Sequence, residues 1–219
     1  MGLLDTAIPS IEPRKLPIYL LIDTSSSMKG NRIESVKLGI ENLLNALRNE
    51  PFAIETAYIS IITYDRCANQ LIPLTPIYEL EIPELTSSDF GAHMGGALEL
   101  LLEKKDKEVI KASAERKGDY KPILFLLTGG QPIDEILCKR IIQKVRPSDF
   151  TAIVCCAAGP ESNTEYLKLL TDRVYQVDTL DNASMMKLFT WLAGIGKVHP
   201  YSIDNFFSSP LPEEINAVI

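Results

Sequence analysis

The stretch "LPIYLLIDTSSSMKGNRIES", residues 16–35, decides the fold. Ile18 to Ile22 form a continuous apolar run, the mark of a strand covered on both faces. The run stops at Asp23 and an acidic, hydroxyl-rich loop. A helix begins after Gly30, where Ile33, Val36, Ile40, Leu43, Leu44 and Leu47 fall on one stripe and Pro51 follows the end. Strand, loop and helix in this order read as the first half of a βαβ unit.

The rest of the chain repeats the alternation. "AIETAYISIITYD" (53–65) reads as a second strand, and "ANQLIPLTP" (68–76) as a short edge strand whose prolines bar it from a central place. A loop over 79–96 leads to a helix expected from Ala97 to Arg116. "KPILFLLTGGQP" (121–132) is another buried strand with a Gly-rich exit, followed by a helix from Glu135 to Val145. "DFTAIVCCAAGP" (149–160) repeats that pattern, "NTEYLKLLT" (163–171) is a short helix, and "RVYQVDT" (173–179) is the last short strand. The final helix carries Met185, Leu188, Phe189, Leu192 and Ile195 on one face. Apolar strands alternating with helices imply right-handed crossovers and an α/β, Rossmann-like doubly wound, mainly parallel sheet flanked by helices. We divide the chain into an N-terminal extension (1–14), a domain (15–196) and a C-terminal tail (197–219) that wraps the domain or meets a partner.

The 219 residues carry 22 basic and 29 acidic side chains, a net charge of -7. Such a surface disfavours nonspecific attraction to nucleic acid or anionic membranes. No apolar run approaches the roughly 20 residues that span a bilayer. The N-terminus lacks the basic region and apolar core of a signal peptide, although "MGLLDT" meets the loose spacing for myristoylation at Gly2. Cys67, Cys138, Cys155 and Cys156 show no zinc spacing. Cys155 and Cys156 read as buried small hydrophobes pointing to opposite faces, and the pattern fits a reducing, cytoplasmic setting.

Ligands in open parallel sheets gather beyond the carboxyl ends of the strands, where Asp23 sits. In an extended segment Asp23, Ser25 and Ser27 share one side and can converge on a point. One carboxylate with two hydroxyls suits a hard cation such as Mg²⁺; the same residues equally suit a capped turn at a helix start. A haloacid-dehalogenase-type phosphatase needs a second Asp where Ser25 stands. A dinucleotide-binding domain needs GxGxxG, and a serine hydrolase GxSxG; neither occurs. His93 and His199 read as ordinary histidines, since one His beside one carboxylate is a poor transition-metal set.

"LLIDTSSSM" resembles the DxSxS motif of von Willebrand factor A domains, whose metal-ion-dependent adhesion site binds Mg²⁺. Together with "SIITYD", "IPLTP", "GGALE", "SAERKGDYKPILFLLTGG", "CAAGP" and "DTLDNAS", the chain is similar to TerY-type proteins of bacterial tellurium-resistance gene clusters over residues 15–196. The resemblance implies metal ligands at Asp23, Ser25 and Ser27. The family's remaining ligands are a Thr in TxxGxAL and an Asp in TDG, and these positions read Ala92 and Gly129, so the site is incomplete. Ser88, Asp89 and Asp134 are the nearby groups that can compensate. With the second carboxylate gone, the backbone around Ser26 to Lys29 suits an anion instead.

The resemblance further implies a non-catalytic, cytoplasmic interaction module of tellurium-resistance or stress-response type. Its partners would be proteins, such as the kinase or phosphatase components of the same gene cluster. The alternative is a metal-dependent phosphoester hydrolase or phosphotransferase using Asp23. A third reading is a structural subunit whose site has decayed.

Overall fold

The computed structural model describes residues 13–114, 116–159, 162–213 and 215–218; Gly2 and most of the N-terminal extension lie outside them. Seven strands form one sheet: β1 (Leu16–Asp23), β2 (Ala57–Tyr64), β3 (Ala68–Pro76), β4 (Ile123–Thr128), β5 (Ala152–Ala158), β6 (Val174–Val177) and β7 (Ile215–Ala217). Their spatial order is β3-β2-β1-β4-β5-β6-β7. The five inner strands are parallel, and the two edges, β3 and β7, run antiparallel to their neighbours. This is the doubly wound architecture that the alternating apolar runs imply.

Strand periodicity divides the core into two halves. Ile18, Leu20 and Ile22 face one layer, with Ile123, Phe125 and Leu127 of β4 beside them. That layer holds α1 (Asn31–Arg48) and α6 (Asn182–Ala193). Tyr19, Leu21, Leu124 and Leu126 face the other, under α3 (Met94–Glu108), α4 (Glu135–Ile142) and α5 (Glu165–Lys168). Cys156 belongs to the first half and Cys155 to the second, on opposite faces as the run predicts. Helices α1 and α6 approach closely because Gly39 leaves room for Phe189; any Cβ at Gly39 would overlap that ring.

Four elements differ from the sequence reading. Residues 53–56 open no strand; they finish the short helix α2 (Pro51–Thr56), which Pro51 starts from its first position and Thr56 Oγ1 closes on the Phe52 carbonyl at 2.6 Å. Helix α3 begins at Met94 and ends at Glu108, instead of running from Ala97 to Arg116. Its start is set by a long-range cap, described below. Its end follows from Val109 turning extended and from Asp119, which draws the Ile110 N–H to its Oδ2 at 2.9 Å. Helix α4 stops at Ile142, three residues short of the expected Val145. The strand β6 is not the last, because β7 arises from the C-terminal segment and pairs Tyr175–Val177 with Ile215–Ala217.

Ile203, Phe206 and Ile215 of that segment are buried in the core of the domain. Phe206 of α7 (Ile203–Phe207) packs on Gly194 and Trp191, and Trp191 also meets Tyr175 and Phe207. No helix among the described residues is long and apolar enough to cross a membrane.

Candidate functional site

The carboxyl ends of β1 and β4 are adjacent, so the loops leaving them meet. Asp23 closes β1 and is fully buried. Its Oδ1 accepts the Ser25 N–H at 2.8 Å, while Oδ2 accepts the Thr128 hydroxyl at 3.1 Å and the Gly129 N–H at 3.0 Å. Burial raises the Asp23 carboxyl above its ordinary range, and the donors at Ser25, Gly129 and Thr128 oppose that shift. Tyr64, buried behind it, donates to the Leu127 carbonyl at 3.1 Å and is pushed upward by burial and by the Asp23 charge. Asp23 is therefore a bracket joining two strand ends.

Residues Ser26–Met28 form a single 3-10 turn, with the Met28 N–H donating to the Ser25 carbonyl at 2.9 Å and the Met28 side chain fully buried. Gly30, at φ 68, then takes the left-handed turn into α1. Ser25 Oγ and Ser27 Oγ lie 3.0 Å apart in a mutual hydrogen bond. The three expected residues are thus brought together. Ala92 and Gly129 come to the same end of the sheet, both buried.

The second loop is sewn to the first and third through its backbone. Ser88 N–H donates to the Thr24 carbonyl and Ser26 N–H to the Phe90 carbonyl, each at 2.8 Å. Ala92 bridges Pro132, and its carbonyl accepts the Ile133 N–H at 2.9 Å. The acids that could compensate are committed elsewhere. Asp134 Oδ1 and Oδ2 accept the Gly95 and Gly96 N–H groups at 3.2 and 3.0 Å, which caps α3 and explains its early start. Asp89 pairs with Lys29 at the surface, and Ser88 Oγ accepts the Phe90 N–H at 3.2 Å.

Two distinctions follow for a cation. The 3.0 Å hydroxyl spacing is also about the separation of adjacent corners in an octahedron with 2.0–2.1 Å bonds, so spacing alone does not decide. Charge does. One buried carboxylate with both oxygens already accepting, two hydroxyls, and no side-chain oxygen at Ala92 or Gly129 leave a divalent ion short of ligands and of negative charge. The space an aspartate would need at position 129 is filled too: a Cβ there would meet Met28 Sδ at 2.6 Å and Ser27 Oγ at 2.9 Å. Among the described residues, no three His, Cys, Asp or Glu gather where they could hold a metal ion. The residues present do not fit a resident divalent cation.

Neither histidine joins this set. His93 Nδ1 lies 2.9 Å from the Asp65 carbonyl, which can only accept, so that nitrogen carries the proton. His199 is at the opposite end of the sheet, 3.2 Å from the Tyr120 hydroxyl. Three of the four thiols are shielded: Cys138, Cys155 and Cys156 are buried, and burial pushes the Cys138 thiol up to about 12, whereas Cys67 is free and exposed. Sequence reasoning missed Thr128 and the Asp134 cap. The threonine ending the apolar strand "ILFLLT" was the available signal for the first; the second joins residues far apart in the chain and leaves no local pattern.

The model of the von Willebrand factor type A domain matches residues 18–189. No curated protein matches the sequence. Among solved structures, a von Willebrand factor type A protein from Catenulispora acidiphila superposes with TM-score 0.62 at 17% identity, covering 84% of this chain and 43% of that one. Proximal thread matrix protein 1 from the mussel byssus, solved with a zinc-occupied MIDAS motif, gives 0.56 at 18% identity over 82% of this chain and 46% of that one. The pilus adhesin SpaC from Lactobacillus rhamnosus GG gives 0.61 at 12% identity, over 84% and 30%. The chain spans less than half the length of each of these solved proteins, and at these identities the likeness concerns the fold. Fold, motif position and family match agree: this chain belongs to the von Willebrand factor type A domain family.

Proposed function

We propose that the chain is a non-catalytic protein-interaction module that binds its partners through the loops at the carboxyl end of the sheet, without a bound metal. One observation carries this reading: both oxygens of Asp23, the carboxylate of the DxSxS loop, are held by Ser25, Thr128 and Gly129. A carboxylate so engaged and fully buried is not presented to a substrate, which argues against a base, a nucleophile or a phosphotransferase built on Asp23. The loops around it are locked to one another by backbone hydrogen bonds, and rigid scaffolds of this kind present recognition surfaces. Domains of this family commonly mediate protein interactions or adhesion, and one structural neighbour is a pilus adhesin.

Within that reading we place the chain in the cytoplasm, in a bacterial tellurium-resistance or stress-response system of TerY type. Kinase or phosphatase components of the same gene cluster are its partners. Support comes from the motif resemblance over residues 15–196, from the acidic composition and from four cysteines that are all free thiols.

A photo-crosslinking residue at the exposed Ser26, compared with one at the exposed Lys121 at the other end of the sheet, tests the proposal in cells. Discrete adducts from Ser26 that persist in EDTA are expected. Adducts only from Lys121, or loss of all adducts on chelation, would count against it. Turnover of p-nitrophenyl phosphate that disappears in Asp23→Asn would replace it with the hydrolase reading.

A further inference from the structure

Beside the Asp23 loop, an open groove of about 590 Å³ runs along the first turns of α4, lined by Ile133, Ile136 and Leu137 together with Asp134, Glu135 and Arg140. Ile136 is 88% exposed and Ile133 60%, with Phe90 at 49% in the neighbouring loop. The Ile133 side chain rests on Gly91, where a Cβ would meet its Cδ1 and Cγ2 at 2.9 Å, so apolar surface continues from Phe90 across Gly91 to α4. Single exposed apolar residues are ordinary, but a contiguous group rimmed by charge marks a contact surface.

The charges around it are unequal in availability. The acids lining the groove are engaged: Asp134 caps α3, and Glu135 accepts the Tyr166 hydroxyl at 2.6 Å. Arg140, one helical turn beyond Ile136 and on the same face, has no ion-pair or hydrogen-bond partner among the described residues. At the other end the Arg66 guanidinium lies over the Phe90 ring, 5.3 Å from its centre, also without an acidic partner. In a chain of net charge -7, Arg140 and Arg66 are the charged side chains beside this apolar surface that lack a hydrogen-bond or ion-pair partner among the described residues.

We infer that the groove docks a partner segment carrying a branched or aromatic apolar residue beside a carboxylate. The apolar side chain rests on Ile133 and Ile136, and the carboxylate reaches Arg140. A second copy of this chain fits less well, because the carboxylates it would bring to a twofold contact through the same patch, Asp134 and Glu135, already accept hydrogen bonds from Gly95, Gly96 and Tyr166. This inference rests on the interaction-module reading and names the chemistry of the partner.

Panning a phage-displayed library of random short peptides against the full chain in EDTA tests it. Enriched peptides should share an apolar residue next to Asp or Glu. Calorimetric titration of one such synthetic peptide should weaken by about tenfold or more in both Ile136→Ser and Arg140→Glu. Exchanging its carboxylate for Lys should recover binding to Arg140→Glu. Both positions are exposed, and unchanged melting curves would confirm that folding is intact. Peptides that bind Ile136→Ser as tightly as the unaltered chain would overturn the groove while leaving an interaction module that uses another surface. Failure to enrich any peptide would also overturn it, and the crosslinking comparison then judges the broader reading separately. A dimer in sedimentation that Ile136→Ser dissolves would overturn it in favour of a second copy.

Discussion

A Cβ at Gly129 would press on Ser27 Oγ and Met28 Sδ, so the glycine and the inward-turned serine are complementary occupants of one small space. Rebuilding the missing ligands should therefore show a defined pattern. Gly129→Asp alone is expected to cost about 1–3 kcal/mol, since it adds a buried carboxylate and displaces its neighbours. Combined with Ala92→Thr, it should make the melting temperature rise with millimolar Mg²⁺, whereas the unaltered chain shows no such rise. Scanning calorimetry with and without EDTA reads both. Asp23 gives a second prediction. In Asp23→Asn the amide must set a donor against an existing donor, costing about 1–3 kcal/mol in urea denaturation. Because burial raises the Asp23 carboxyl, the folded chain keeps that proton to higher pH than the unfolded chain. The resulting contribution is complete below the ordinary value of 3.8 and lost as pH rises through the folded value. The advantage over Asp23→Asn, which does not titrate, should shrink as pH rises; growth instead would mean that the hydrogen bonds outweigh burial. The convergence of Asp23, Ser25 and Ser27 was legible from their spacing alone. What surrounds the carboxylate was not, because Thr128 and Gly129 reach it from more than a hundred residues away.

Elements show the same division between local and distant causes. The continuous apolar runs that became β1, β4 and β5 were readable, as was the proline-bearing edge strand β3, because burial on two faces or one leaves a pattern in the letters. The six-residue α2 is not legible in the letters, since its apolar and β-branched residues suit either state and a proline after a helix reads as a stop. The three-residue β7 has no period to detect and exists only because β6 offers an edge. Such an element depends on its neighbours, so truncating the chain after Ser209 should lower the melting temperature by several degrees and expose the β6 edge to self-association. Phe206→Ala should cost about 3 kcal/mol, because its ring fills the space that Gly194 leaves beside Trp191. On the opposite side of the sheet, Tyr19 donates to Glu108 at 3.0 Å and Gln70 to the other oxygen of that carboxylate at 2.7 Å. Tyr19→Phe is expected to cost about 1–2 kcal/mol in chemical denaturation by leaving one carboxylate oxygen short of a donor.

Across the whole molecule, the two ends of the sheet carry different work. The upper end presents the loops around Asp23. The lower end closes the chain on itself: Arg14 stacks on Tyr120 at 4.1 Å and bonds the Gly118 and Asp119 carbonyls, while His199 and Tyr201 complete the cluster from the C-terminal side. His199→Ala should lower the melting temperature yet leave peptide affinity at the α4 groove unchanged, because nothing in the lower cluster touches the upper loops. Equal losses in both measurements would mean that the sheet couples its ends. Trp191 is the only tryptophan in the chain, and its indole N–H is buried among aromatic rings with no acceptor among the described residues. The protein thus contains its own fluorophore at the seam between domain and tail. Its emission should be blue-shifted while the tail stays seated and move to longer wavelength the moment water reaches the ring. The lifting of the C-terminal segment can then be timed by stopped flow in the unlabelled protein, separately from anything bound at the far end.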